Sequence, residues 1–372
     1  MATQQGEFGY ERSMRHFHAP GRVNLIGDHI DYMGGTVLPM AIDYGTDVWV
    51  TPRDDGLIVA ASDNFPEVGT VTADREAQRP ESQWDWVNYL VAVAFAFGKR
   101  GIEVPGVDVR VHGRIPNGAG LSSSASLELA MAVAFDALTD SGLSAAELAL
   151  IGQQAENEFI GVACGIMDQL AVAAGVSGQA LAIDCGTLAV TPVPFPAGIA
   201  VVVANTNQRR ELADSAYNAR RAACEKAEEL LGRRLIEASS ADVATLPEDL
   251  APRARHVIGE QARVLAFAHA LREDDRDQLG TLMRASHESL RDDFEVTGPA
   301  LDAMVEAAWD APGVIGARMT GAGFGGCTVN LVEPERVAEF IAAVGPAYQC
   351  RSGLRPDFYE VHPADGAREV TA

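Results

Sequence analysis

The segment at positions 20–35, PGRVNLIGDHIDYMGG, constrains this chain more than any other stretch. It places one arginine, one histidine and two carboxylates between glycines, so that Arg22, Asp28, His29 and Asp31 can crowd into one small space. Such a cluster costs free energy unless a ligand or mutual pairing satisfies it. The fold must therefore bring these side chains to a ligand or pair them.

Length and charge limit the function classes. The 372 residues are enough for two domains with sizeable cores. A net charge of −23 argues against non-specific binding to nucleic acid or anionic membranes. The first twenty residues contain no apolar signal region, and the longest apolar run, 89–97, is too short to cross a bilayer. We therefore expect a cytoplasmic protein with neither nucleic-acid nor membrane partners.

The five cysteines are widely spaced, odd in number and without a Cys-x-x-Cys pair. This pattern argues against a disulfide framework or a zinc site, and it fits a reducing compartment. We expect each cysteine to be a small buried apolar residue.

The pattern of apolar residues and breakers predicts an α+β chain. Strands are predicted at 37–50, 57–61, 107–111, 181–184, 199–203, 314–318, 327–332 and 358–361, and helices at 86–98, 122–138, 144–159, 215–231, 255–271, 279–290 and 299–309. The proline-containing stretch at 192–196 is the predicted boundary between domains 1–195 and 196–372. The tail from Asp365 is expected to be frayed.

A first glycine loop, PNGAGLSSSAS at 116–126, precedes a predicted helix. Glycines allow close approach of the backbone to a ligand, and the N–H groups at a helix start favour an anion such as phosphate. No lysine follows, so this is not the Gly-x-x-x-x-Gly-Lys-Ser/Thr loop, and a divalent metal is expected to supply the positive charge. The alternative is that the serines only cap the helix.

A second glycine loop, GAGFGG at 321–326, matches Gly-x-Gly-x-x-Gly. A dinucleotide-binding fold requires a helix directly afterwards, whereas CTVNLV at 327–332 has the pattern of a strand. We therefore reject the dinucleotide interpretation and expect a turn that closes over a phosphate or sugar.

Three further residues are ambiguous by themselves. A glutamate such as Glu156 usually lies on the solvated face of a helix, and an aspartate such as Asp168 usually lies at a helix N-terminus. A tryptophan in a helix, such as Trp86, usually packs in the core. Their order relative to the glycine loops gives them a functional interpretation.

Together these segments resemble the GHMP small-molecule kinases, and within them the galactokinases. The resemblance runs from about His18 to the C-terminus and includes GRVNLIGDHIDYM at 21–33, where Asp28, Ile30 and Met33 replace the Glu, Thr and Asn of the family signature. It implies two α+β domains with the active site in the cleft between them. It also implies transfer of phosphate from ATP to the anomeric hydroxyl of a sugar, with Mg²⁺.

Carried over by position, the resemblance implies these roles. Asp168 and Arg22 are the catalytic pair, and Ser124 and Glu156 hold Mg²⁺. The sugar is held by Asp28, His29, Asp31, Gly165 and Tyr217. ATP is held by Trp86 and by the loop residues Gly118, Ala119, Gly120, Leu121, Ser122, Ser123 and Ser124. The third family motif supplies Gly321, Gly323, Gly325 and Gly326.

Alternatives stay open at this point. Ile30 also occurs in N-acetylgalactosamine kinase, so another hexose or pentose is possible as substrate, while repulsion by Asp28 argues against galacturonate. A non-catalytic galactose sensor is disfavoured because the serine loop, Arg22, Glu156 and Asp168 are all present. The sequence does not predict the oligomeric state.

Overall fold

The computed structural model describes residues 14–116, 119–208 and 213–371. Helices and mainly antiparallel strands are mixed along the chain, which confirms the α+β prediction. The strands are β1 (Arg15–Asn24), β2 (Thr36–Val37), β3 (Pro39–Arg53), β4 (Leu57–Ser62), β5 (Val71–Asp74), β6 (Gly106–Gly113), β7 (Gln179–Asp184), β8 (Ala189–Pro194), β9 (Ala200–Asn205), β10 (Val314–Thr320), β11 (Cys327–Val332), β12 (Asp357–Val361) and β13 (Arg368–Glu369). The helices are α1 (Val87–Lys99), α2 (Ser123–Thr139), α3 (Ala145–Gln154), α4 (Met167–Ala174), α5 (Ala213–Leu231), α6 (Ser240–Val243), α7 (Ala251–Glu273), α8 (Arg276–Asp292), α9 (Pro299–Trp309) and α10 (Val337–Ser352).

The strands form three sheets. Their orders are β13-β1-β3-β6-β4-β5, β10-β11-β9-β12 and β2-β7-β8. Within them β4 and β6 run parallel, and the other described pairs are antiparallel.

Two large apolar clusters place the site. In one, α1 and α2 cover one face of the six-stranded sheet, and the alanine- and leucine-rich pattern of α2 buries residues such as Leu129 and Phe135 completely. In the other, the segment at 23–42 packs against α7 and α8 through Val264, Phe267 and Leu290. Burial of each such side chain stabilises the folded state by roughly 1.5–3 kcal/mol. The signature segment, residues 20–35, is therefore held in place by residues more than 200 positions away in sequence.

Several sequence predictions are corrected. The tail is not frayed, because β13 pairs with β1 and Ala367 N donates to Val172 O. The proline stretch at 192–196 lies partly in β8, which pairs with β7. Cys350 is exposed and Cys164 and Cys185 are only partly buried, whereas Cys224 and Cys327 are buried as expected. Helix α10 was missed because Gly345 and Pro346 lie inside it.

The division into domains at 195/196 stays a prediction. No helix in the part of the chain that the structure describes is long and apolar enough to cross a membrane.

Candidate active site

Arg22 and Asp168 meet at the centre of the site. Arg22 lies on β1 and Asp168 in the first turn of α4. The Arg22 Nε donates to Oδ1 of Asp168 at 2.9 Å and its Nη2 to Oδ2 at 2.7 Å, while Nη1 donates to Gly120 O at 2.8 Å. Only 6% of the Arg22 side chain is exposed, against 31% for Asp168. The guanidinium thus holds a partly accessible carboxylate in one orientation through a two-pronged contact.

Ser122 adds a third donor to this carboxylate. Its Oγ lies 2.6 Å from Asp168 Oδ2, and its φ of 61° is the left-handed conformation that costs a non-glycine residue free energy. It precedes α2 but makes no side-chain capping bond. The alternative interpretation, that the serines only cap the helix, therefore does not hold for Ser122.

The first glycine loop lies directly against β1. Arg22 N donates to Leu121 O at 3.2 Å, and a Cβ on Gly21 would lie 2.7 Å from that oxygen, so only glycine permits this approach. Ala119 and Leu121 are almost fully buried, whereas Ser123 is exposed at the start of α2. Gly118 lies outside the described residues. The loop therefore presents the start of a buried helix beside the Arg22–Asp168 pair.

Glu156 occupies a widened π-helical turn, Ala155–Ile160, that continues α3. Its carboxylate is hydrogen-bonded to Ser124 and accepts from Gln169 Nε2 at 2.8 Å. Burial and the nearby Asp168 raise the pKa of Glu156. The structure thus brings the two predicted metal ligands together.

Glu128 is a further member of this cluster that the sequence did not indicate. It is completely buried on α2, burial and Glu156 raise its pKa well above the usual range, and Gln169 Nε2 lies 3.3 Å from its Oε2. Its signal was a lone acid in an apolar helical stretch. A hydroxyl and closely packed carboxyls form the oxygen-rich, acidic surrounding that Mg²⁺ prefers, so the residues fit such an ion. Within the described residues, no three His, Cys, Asp or Glu side chains form a metal site by themselves.

Trp86 lines a cavity of about 220 Å³ that also borders Phe65, Tyr89, Ser123 and Ser124. The cavity therefore lies beside the start of α2. Trp86 Nε1 is buried and has no hydrogen-bond partner among the described residues. The structure thus places the predicted base-binding tryptophan next to the predicted phosphate loop.

Asp31 and Gly165 are in close contact. A Cβ on Gly165 would lie 1.8 Å from Asp31 Oδ2, so glycine is needed here for the carboxyl to keep its position. Burial and the neighbouring Asp168 raise the pKa of Asp31 to about 7. Both residues border a cavity of about 440 Å³ whose wall also includes Asn157 and Arg221.

His29 and Tyr217 pack beside this region, with ring centroids 5.4 Å apart. Nε2 of His29 donates to Ala322 O at 3.1 Å, and Nδ1 accepts from the Tyr32 hydroxyl at 3.2 Å. Burial lowers the pKa of His29 to about 4. The imidazole is therefore neutral, and both of its nitrogens are already hydrogen-bonded.

Asp28 does not line this cavity in the part of the chain that the structure describes. It is 2% exposed, Arg318 Nη2 donates to its Oδ2 at 2.5 Å, and Gly321 N donates to its Oδ1 at 3.0 Å. Its charge is therefore paired inside the protein.

Residues from α7 also hold the signature segment, which the sequence did not indicate. His256 Nε2 donates to Asp28 O at 3.1 Å, and Gly27 N donates to Glu260 Oε1 at 3.0 Å. Both α7 side chains are completely buried.

The second glycine loop, residues 321–326, is the third motif of the family and forms the turn between β10 and β11. Because strand β11 follows the glycines, the rejection of a dinucleotide-binding loop is confirmed. Gly326 O accepts from Thr206 N and Oγ1 at 2.9 and 2.6 Å. Gly321, Gly323, Gly325 and Gly326 all have positive φ.

Comparison with known proteins agrees with this geometry. Family models match at residues 88–176 (GHMP kinases N terminal domain), 5–52 (galactokinase galactose-binding signature) and 267–348 (GHMP kinases C terminal). A galactokinase from Bacillus subtilis is 46% identical over 98% of this chain and 96% of its own. One from Exiguobacterium sibiricum is also 46% identical, over 98% of this chain and 96% of its own.

Solved structures give the same result. A Lactococcus lactis galactokinase complexed with galactose has a TM-score of 0.94 at 37% identity, covering 98% of this chain and 97% of its own. A mevalonate kinase from Methanococcus jannaschii, at 18% identity and a TM-score of 0.66 over 95% of this chain and all of its own, shares the fold. The chain belongs to the galactokinases of the GHMP kinase family.

Proposed function

We propose that the protein transfers the γ-phosphoryl group of ATP to the anomeric hydroxyl of D-galactose, forming α-D-galactose 1-phosphate and ADP. The observation that carries the proposal is the Asp168 carboxylate, which is 31% exposed and held by three hydrogen bonds from Arg22 and Ser122 beside the first glycine loop. Phosphoryl transfer depends mainly on positioning and on stabilisation of charge, and this arrangement supplies both.

Each residue of the site has one role in the proposed reaction. Asp168 accepts the hydrogen bond, and finally the proton, of the sugar hydroxyl. Arg22 keeps the carboxylate oriented and places positive charge where the phosphoryl group passes. Amide N–H groups at the start of α2 bind the phosphates, with Trp86 beside the base. Ser124 and Glu156 would hold Mg²⁺, which supplies positive charge to the phosphate oxygens.

The sugar is proposed to lie against Asp31, Gly165 and Tyr217. Carboxylates accept hydrogen bonds from hydroxyls, and the Tyr217 ring next to His29 offers an apolar face. Because ATP is the co-substrate, we place the protein in the cytoplasm.

Related sugars are tested as alternative substrates. Galacturonate is included because Asp28, whose charge was expected to repel it, is paired with Arg318. N-acetylgalactosamine is included because of Ile30. A non-catalytic sensor is disfavoured by the intact Arg22–Asp168 contact.

The test is ADP release with galactose, N-acetylgalactosamine, galacturonate, arabinose and glucose. We expect the highest kcat/KM with galactose. The control is Asp168→Asn, which keeps the volume and should lower kcat by about 10²–10⁴ without loss of fold. Absence of ADP release with every sugar, from a protein that binds galactose, would establish a sensor instead.

A further inference from the structure

Gln169, the residue after Asp168 on α4, connects two acidic side chains. Its Nε2 donates to Glu156 Oε2 at 2.8 Å and to Glu128 Oε2 at 3.3 Å. The reverse rotation of the amide would set its oxygen against both acids, so these two acceptors fix the orientation of the NH₂ group. Gln169 and Glu128 are both completely buried. The bridge from Glu128 through Gln169 to Glu156 is thus internal to the protein.

Glu128 is unfavourable for the stability of the folded protein. Its Oε1 is buried and has no hydrogen-bond partner among the described residues, and a buried polar atom without a partner costs about 1–3 kcal/mol. Burial and the nearby Glu156 raise the pKa of Glu128 well above the usual range, because a charge is poorly tolerated there. A carboxyl at this position is therefore explained by a role in the site rather than by packing.

The bridge lies beside both predicted metal ligands. Glu128 follows Ser124 by four residues on α2, so the two side chains lie on the same face of the helix. Ser124 is in turn hydrogen-bonded to Glu156. Burial and the acidic Glu156 and Glu128 raise the pKa of Tyr89 to about 12, and Tyr89 borders the same cavity as Ser124.

Gly152 on α3 allows close packing against this bridge. A Cβ at this position would lie 2.9 Å from Leu129 Cδ2, 3.0 Å from Gln169 Cγ and 3.5 Å from Glu128 Oε2. Glycine inside a helix is less stable than alanine by about 1 kcal/mol, so the close contact, and not helix stability, explains this residue. The Gln169 side chain is thus confined on the side that faces α3.

We propose that Glu128 and Gln169 are positioning residues for the metal ion: Glu128 orients the Gln169 amide, and Gln169 holds the Glu156 carboxylate in the orientation that binds Mg²⁺. Neither residue touches the ion. This inference deepens the proposed function and rests on its assignment of Glu156 to the metal. Removal of a residue that orients a metal ligand typically lowers metal affinity by about 10–100-fold.

The first experiment measures the affinity for Mn²⁺, a probe for Mg²⁺, of the protein with ADP bound and without sugar, from the electron paramagnetic resonance of free Mn²⁺. Gln169→Met removes the amide at nearly constant volume and should lower this affinity by about 10–100-fold. Gln153→Met is the matched control, because Gln153 on α3 donates to Cys164 O at 3.4 Å instead, and it should leave the affinity unchanged. Wild-type affinity in Gln169→Met, or no Mn²⁺ binding to the wild-type protein, would overturn the proposal.

Two variants of Glu128 separate orientation from direct binding. Glu128→Gln keeps an oxygen that can accept from Gln169, so it should bind Mn²⁺ about as tightly as the wild type. Glu128→Met removes this acceptor and should approach the loss seen in Gln169→Met. If Glu128 bound the ion or attracted it by its charge, Glu128→Gln would lose as much affinity as Glu128→Met, and the proposal would fail.

The double variant tests the order of action. If Glu128 acts through Gln169, adding Glu128→Met to Gln169→Met should cost no further Mn²⁺ affinity, and additive losses would contradict the proposal. Glu128→Met carries the test alone if Gln169→Met does not fold.

A third readout distinguishes positioning from general loss of structure. Glu128→Met removes a buried oxygen without a partner, so its thermal midpoint should equal or exceed that of the wild type. ADP affinity measured without divalent cations should be unchanged in every variant, and a loss there would show a structural effect and refute the positioning role. None of these measurements needs a sugar, so a failure of galactose phosphorylation, which refutes the proposed function, is distinguishable from a failure of this inference.

Discussion

Replacement of Glu260 by glutamine tests how the signature segment is held. Glu260 is completely buried on α7, where its Oε1 accepts from Gly27 N at 3.0 Å and from Ser286 Oγ at 2.6 Å, and its Oε2 accepts from Arg263 Nε at 2.7 Å. Glutamine has the shape of the protonated acid but directs an NH₂ group towards one of these donors. The charge is therefore removed with little change in volume.

The magnitude follows from the pKa of this carboxyl. Burial by itself would raise that pKa, but the charges of Arg263 and Arg318 and the bond from Ser286 outweigh it and lower the pKa from 4.5 to about 2. Each pKa unit corresponds to about 1.4 kcal/mol, so the charged form stabilises the folded state by about 3 kcal/mol at neutral pH. Glu260→Gln should lose about this amount.

Urea unfolding as a function of pH measures the effect. Because the folded-state pKa is lowered, the difference between wild type and Glu260→Gln should be fully present above about pH 4.5 and disappear as the pH falls through about 2. Glu229→Gln, at a carboxyl whose side chain is 68% exposed, is the control and should change stability by about 0.5 kcal/mol or less. Equal stability of wild type and Glu260→Gln at pH 7, or a difference independent of pH, would refute the reasoning.

Three further predictions concern the site. Gly165→Ala should raise the KM for the sugar with little loss of thermal stability, because the new methyl group displaces the Asp31 carboxyl rather than backbone. The KM is measured by titration with sugar, and an unchanged KM would contradict the contact. Glu156→Gln should raise the Mg²⁺ concentration needed for half-maximal rate, and an unchanged metal titration would remove Glu156 from the metal site. Asp31→Asn should gain stability relative to wild type as the pH rises from about 4 to about 7, because a carboxyl whose pKa is raised to about 7 binds its proton more tightly in the folded state. Thermal melts of both proteins across this pH range test the prediction, and a stability difference that does not change with pH would contradict it.

The sequence by itself determined the local features. The apolar pattern predicted α9 and β11 with the bounds observed, and the breakers around the two glycine loops predicted their positions between elements. These features depend on neighbouring residues, whose spacing and backbone preferences are visible in the chain. The ordered motifs likewise indicated the kinase family, and Arg22 and Asp168 lie together as that resemblance implied.

Only the tertiary structure decided which partners the polar side chains have. The partner of Asp28 is Arg318, which lies 290 residues away on another strand. Glutamate is usually a surface residue, but Glu128 and Glu260 are completely buried. Local spacing says nothing about such contacts, because they arise when separate elements pack and a buried carboxyl must find its donors wherever the fold places them.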